Sequence, residues 1–163
     1  MFPEYPIHAI TNGVHAVTWT SPAFQALYDH HVPEWRKDNL YLRYAIGIPL
    51  EEIAEAHLKA KRALIEEVKS RAAVQFDETI LTIGFARRAT QYKRPELLFS
   101  NIEKLKSIAH NVGPLQMVIA GKAHPADEGG KAAIQNVFQA AAALKGHVSI
   151  VYSGYSLHSG WPF

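Results

Sequence analysis

After Phe76 the chain alternates apolar, partly β-branched runs with amphipathic stretches of helical period, and this order is what most constrains its fold. The apolar runs are Thr79 to Ala86, Leu115 to Ala120 and His147 to Tyr152; the amphipathic stretches between them are Pro95 to His110 and Asp127 to Lys145. Strands separated by a helix return parallel to one another, so the expected class is α/β with a partial Rossmann-like parallel sheet. Right-handed crossovers would join neighbouring strands. Leu98, Ile102, Leu105 and Ala109 are expected to line the first helix, which Gly113-Pro114 stops. Ile134, Val137, Phe138, Ala141 and Leu144 should line the second, which Gly146 ends. Three strands are fewer than such sheets usually carry, so the unit reads as part of a larger domain.

The region before the sheet follows a different pattern. Pro3, Pro6, Pro22, Pro33 and Pro49 punctuate an aromatic-rich segment and predict short elements joined by turns. Ser21-Pro22 supplies a capping residue and a proline at the first helical position, so a short helix should run through Phe24 and Leu27 and end before Pro33. From Pro49 to about Ala73 breakers are absent, acidic residues come early and basic ones late, and a long helix is expected. Its apolar side should be Ala54, Leu58, Ile65, Val68 and Ala72, and its charges should form a solvated face. The organisation expected is a helical and irregular segment over 1–75, an αβ unit over 76–152 and an unassigned tail over 153–163.

At the handover from the first strand to the first helix lies Gly84-Phe85-Ala86-Arg87-Arg88-Ala89-Thr90-Gln91-Tyr92-Lys93-Arg94. The strand before it reads as buried on both faces, and Pro95 as the first turn of the helix. Arg87, Arg88 and Lys93 then sit at the carboxyl edge of the first strand, and Gly121, Lys122 and His124 at that of the second, the edge along which open α/β sheets bind ligands. Guanidinium groups grip phosphate oxygens in pairs, an ammonium adds a point charge, and the first amides of a helix favour an anion. A surface turn that merely carries basic residues has the same composition, and spacing alone leaves both readings open.

Other chemistries find little support. The chain has no cysteine, which removes disulfides, thiolate catalysis and cysteine zinc sites, and a cytoplasmic location is the default expectation. A formal charge of +2 over 163 residues argues against nucleic acid. No run approaches the roughly 18 apolar residues of a membrane span, and no signal segment is evident at Met1-Phe2-Pro3-Glu4. Ala123 follows Gly121-Lys122 where a phosphate loop needs Ser or Thr, no glycine-rich dinucleotide turn follows a strand, and no nucleophile elbow is present. Asp29-His30-His31, His8 and His15 lack metal-ligand spacing and read as structural or surface residues, so no metal is expected.

In three ordered segments the chain resembles the α-glucan (glycogen, starch and maltodextrin) phosphorylases, particularly their shorter prokaryotic members. The segments are Ile10-Thr11-Asn12-Gly13-Val14-His15 with Thr18-Trp19, Gly84 to Arg94, and Ile119-Ala120-Gly121-Lys122-Ala123-His124-Pro125-Ala126. The resemblance implies the start of the C-terminal domain of a GT-B glycosyltransferase fold. It implies an enzyme for reversible phosphorolysis of α-1,4-glucan to glucose 1-phosphate with pyridoxal phosphate. Arg88 and Lys93 fall on the pair that contacts the substrate phosphate, Arg87 on a basic residue near the cofactor phosphate, and Tyr92 on a tyrosine lining the sugar site. Asn12 falls on the asparagine that hydrogen-bonds the 6-hydroxyl of the glucosyl unit, although Asn-Gly is also a common turn.

No lysine here corresponds to the family's Schiff-base lysine, and Ser153 to Phe163 shows no family pattern. The chain is therefore expected to be a fragment that by itself neither holds pyridoxal phosphate nor turns over substrate. The partners implied are α-1,4-glucan, phosphate, glucose 1-phosphate and further copies of the chain. A nucleotide-sugar glycosyltransferase such as a glycogen synthase, or a non-catalytic phosphate- or glucan-binding module, are the alternatives.

Overall fold

The computed structural model describes residues 8–72 and 74–154, so the tail from 155 onward, with Trp161 and Phe163, lies outside the described residues. In chain order the elements are α1 (Ala16–Trp19), α2 (Pro22–His31), α3 (Leu50–Ala72), β1 (Leu81–Ala86), α4 (Ile102–Asn111), β2 (Leu115–Ala120), α5 (Glu128–Ala143) and β3 (Val148–Ser153). Short 3-10 turns occupy Pro33–Arg36, Asn39–Gly47, Gln91–Lys93 and Leu97–Phe99. These residues divide into two compact units, one ending at His57 and the other starting at Leu58.

In the second unit the alternation read from the sequence produces a parallel sheet of order β1-β2-β3. Leu81 to Ala86 pair in step with Leu115 to Ala120, and those in step with Val148 to Ser153. The register brings Ala86, Ala120 and Ser153 level, so the loops that follow all three strands leave from one edge.

The middle strand β2 is buried along its whole length. Leu115, Met117 and Ile119 pack with Phe99, Leu105, Val137, Leu144 and Val148, while Val118 packs with Ile65, Val68, Phe76 and Val151. Helices α4 and α5 thus supply one apolar cluster, and the later turns of α3 supply the other. Each such side chain contributes about 1.5–3 kcal/mol through burial. Buried among them, Gln116 satisfies its amide by accepting from the Asp77 N–H at 3.1 Å and donating to the Asp77 carbonyl at 2.7 Å and to Thr82 Oγ1 at 2.8 Å.

Several sequence expectations need correction. Strand β1 is not buried on both faces: it lies at the end of the strand order, with Leu81 63% exposed and Gly84 and Ala86 exposed. The helix expected from Pro95 begins only at Ile102, where Asn101 Oδ1 accepts from the Lys104 N–H at 2.8 Å. Pro95 is buried in a turn instead, and the Leu97–Phe99 turn buries Phe99 before the cap is reached. Ala54 and Ala72 are exposed, Ala56 being buried in their place, and Phe138 is 54% exposed.

The charges of α3 do more than face water. Lys61 donates to the Ile80 carbonyl at 2.5 Å, and Arg62 grips Glu78 through two hydrogen bonds of 2.5 and 2.8 Å. Both tie the helix to the segment that leads into β1.

In the first unit, Leu27, Ile48 and Ala56 form a core to which Phe24, Tyr28 and Ile53 add. Trp35 is fully buried, and its indole N–H donates to Asp29 Oδ1 at 2.8 Å. Arg36 holds the same carboxylate with two hydrogen bonds, and His31 Nε2 lies 2.8 Å from Glu52. Asp29 and His31 thus have side-chain partners within this unit.

Candidate phosphate site at the carboxyl edge

The chain leaving β1 does not break away from the sheet. The Arg87 N–H donates to the Ala120 carbonyl and the Ala89 N–H to the Lys122 carbonyl, each at 3.0 Å, which prolongs the ladder past the ends of the strands. Arg88 stands between these two bonds. The loop after β2 is held in turn: the Gly121 N–H donates to the Ser153 carbonyl at 3.2 Å, and the Tyr152 phenol donates to the Gly121 carbonyl at 2.8 Å.

Two glycines allow this closeness. A Cβ built at Gly121 would overlap the Arg87 carbonyl oxygen, with the carbonyl carbon at 3.2 Å. One built at Gly130 would overlap the Ala89 carbonyl oxygen and stand 2.8 Å from Asp127 Oδ2. Asp127 fixes Gly130 by capping α5, its Oδ1 accepting from the Gly130 N–H at 2.9 Å. The basic segment is therefore wedged between the β2 loop and the first turn of α5.

Beyond Ala89 the chain turns through Gln91–Lys93, and Arg94 takes a left-handed conformation at φ 50°, ψ 55°. Among the described residues it is the non-glycine with positive φ, a placement that costs roughly 1–2 kcal/mol. The turn sets the Lys93 ammonium 4.6 Å from the centroid of the Tyr92 ring. The Lys93 charge, with Arg88 adding to it, holds the Tyr92 phenol below its usual value. Tyr92 and Lys93 are thus brought together, Arg88 adds its charge from the pinned segment, and Arg87 and Arg88 are both exposed.

Glu96 Oε2 lies buried just after this turn with no hydrogen-bond partner among the described residues. The cations do not stand at a helix N-terminus as the sequence suggested, because the first amides of α4 follow the Leu97–Phe99 turn and are capped by Asn101. What the geometry offers an anion is side-chain charge on a pinned main chain.

Asn12 belongs to the first unit, exposed and outside any regular element just before α1. Sequence reasoning passed over Gly121 and Gly130 as supports for the basic segment. The signal was slight: a glycine directly after a strand, and another at the third position after a capping Asp.

No family model matches the chain. It is 40% identical over 157 residues to glycogen phosphorylase of Aquifex aeolicus, a match covering 83% of this chain and 23% of that protein. With maltodextrin phosphorylase of Thermococcus litoralis the identity is 39% over 153 residues, covering 83% and 18% respectively. Glycogen phosphorylase of Mycobacterium tuberculosis is 34% identical over 157 residues, covering 82% and 18%.

The chain belongs to the glycogen and maltodextrin phosphorylase family.

It spans about a fifth of the length of the curated relatives it matches. In this phosphorylase-family chain, two of the segments that carry the likeness are one hydrogen-bonded edge. Gly121-Lys122 receives the main chain of Arg87-Arg88-Ala89, so the second segment supports the first.

Proposed function

We propose that the chain supplies the substrate-phosphate grip of an α-glucan phosphorylase, a glycosyltransferase that converts α-1,4-glucan and phosphate to glucose 1-phosphate and back. The observation that carries this reading is a basic segment whose main chain is pinned by a hydrogen bond on each side of Arg88 and whose Lys93 ammonium lies against the Tyr92 ring. In it Arg88 and Lys93 hold the attacking phosphate, Tyr92 lines the sugar, Asn12 hydrogen-bonds the sugar 6-hydroxyl and Arg87 approaches the cofactor phosphate.

The electrostatics favour such a role. A unit charge pair about 4 Å apart near a protein surface interacts by roughly 4 kcal/mol, so two phosphate dianions in one site repel strongly unless cations lie close by. A guanidinium fork fixes the orientation of the nucleophile, and an ammonium neutralises charge without demanding one angle.

Pyridoxal phosphate, when bound, would supply a phosphate that relays a proton. The residues present fit that phosphate end: Arg87, Arg88 and Lys93 are cations on one segment. They do not fit its covalent attachment, since no lysine here corresponds to the family's Schiff-base lysine. By itself the chain is therefore expected to bind anions without turning over glucan. The proposed partners are α-1,4-glucan, phosphate, glucose 1-phosphate and a second copy of the chain, the outer edges of β1 and β3 being open to pairing among the described residues.

Calorimetric titration of the purified chain tests the reading. Inorganic phosphate and glucose 1-phosphate should bind, and Arg88→Ala and Lys93→Ala should abolish both signals. Selective binding of a nucleotide-sugar would instead favour a glycogen-synthase-like enzyme, and no anion binding would leave the grip without function. Release of glucose 1-phosphate from maltodextrin by the chain alone would overturn its inactivity.

A further inference from the structure

We propose that Gly121 and Gly130 are positioning residues for the phosphate grip, acting by the side chains they lack. This deepens the reading above and rests on it.

The main chain from Arg87 to Ala89 is fixed from two sides. Hydrogen bonds to Ala120 and Lys122 set its position along the sheet edge, and the two glycines set its depth. The Arg87 carbonyl oxygen lies against Gly121 and the Ala89 carbonyl oxygen against Gly130, so both residues flanking Arg88 are seated where a methyl group would intrude. Neither obstacle could yield by a side-chain rotation, because each is a backbone carbonyl.

The two supports are themselves anchored by different elements. Gly121 is bonded through its N–H to Ser153 and through its carbonyl to Tyr152, both on β3. Gly130 is bonded to Asp127, the cap of α5. A methyl at Gly121 must therefore displace the Arg87 main chain, and one at Gly130 must displace the Ala89 main chain together with the Asp127 cap. Displacement moves Arg88 relative to Lys93, and in the proposed site these two side chains act on one phosphate together.

Alanine substitution reads this directly. Gly121→Ala and Gly130→Ala should each weaken binding of inorganic phosphate about tenfold or more, as misplacement by an ångström does in a site built on orientation. In the same variants, without any ligand, the Tyr92 phenol should titrate closer to its ordinary value, because Lys93 and Arg88 have been moved relative to it. Tyr92 is assigned by its loss in Tyr92→Phe. Wild-type phosphate binding and an unchanged Tyr92 titration in a folded Gly121→Ala or Gly130→Ala chain would overturn the proposal.

Should both variants fail to fold, the wild-type chain still decides. The Arg87 and Ala89 amides should exchange with solvent as slowly as those of the adjoining strand end, and exchange as fast as an open loop would overturn the clamp. Absence of phosphate binding to the wild type would defeat the functional reading alone, since the exchange and Tyr92 measurements use no ligand.

Discussion

Gln116 closes its side-chain amide on both main-chain groups of Asp77, a residue 39 positions earlier, and so fastens the segment entering β1 to the buried middle strand. Its third hydrogen bond, to Thr82, reaches β1 itself. Gln116→Leu keeps the volume but orphans these partners, and it should destabilise the second unit by about 2–3 kcal/mol. The check is a lower urea midpoint with an unchanged slope; an unaltered midpoint would show that water replaces the amide.

Arg88→Lys separates charge from geometry. The ammonium retains the positive charge but not the planar fork, so phosphate affinity should fall about tenfold while Arg88→Ala loses binding altogether. Affinity should also drop as salt is raised, since the cations lie at an exposed edge. Equal affinity for the Lys variant and wild type in calorimetry would mean that Arg88 acts only as a point charge.

Tyr92 and Tyr152 should titrate on opposite sides of the usual phenol value. Lys93 lowers Tyr92, whereas burial raises Tyr152. The sign follows: the phenolate of Tyr92 is favoured in the folded chain, so its contribution to stability is present above pH 10.0 and is lost as pH falls through the lowered value. For Tyr152 the contribution is present below pH 10.0 and is lost as pH rises through the raised value. Ultraviolet titration of Lys93→Met should show the Tyr92 midpoint rising, and no movement would disprove the pairing.

Asp29 contributes to the acid behaviour of the first unit. The Arg36 and Trp35 hydrogen bonds lower its carboxyl from 3.8 to about 2. Its contribution to stability is present above 3.8 and disappears as pH falls through about 2. The Trp35 indole N–H resonance should shift over that window, and Asp29→Asn should remove the shift. Identical acid titrations of that resonance in the two chains would rule out the link.

How much of this was legible in the sequence depended on the range of the forces involved. The strand β2 was readable to the residue because a run buried on both sides is apolar at every position but one, Gln116. Its neighbour β1 was misread because its composition resembles β2, and only the strand order makes it an edge. The start of α4 was misplaced because Pro95 suits a first helical turn locally, while burial of Phe99 and the cap at Asn101 win in the folded chain.

The sequence by itself determined the parallel α/β class, since the alternation of periods is set within each short stretch, and it brought Arg87, Arg88, Tyr92 and Lys93 onto one loop by adjacency alone. Its matching segments also determined the family. Only the tertiary structure decided what holds that loop in place. A glycine's missing side chain has no consequence until another backbone approaches it, and Arg87 meets Gly121, and Ala89 meets Gly130, only once the strands and α5 have packed.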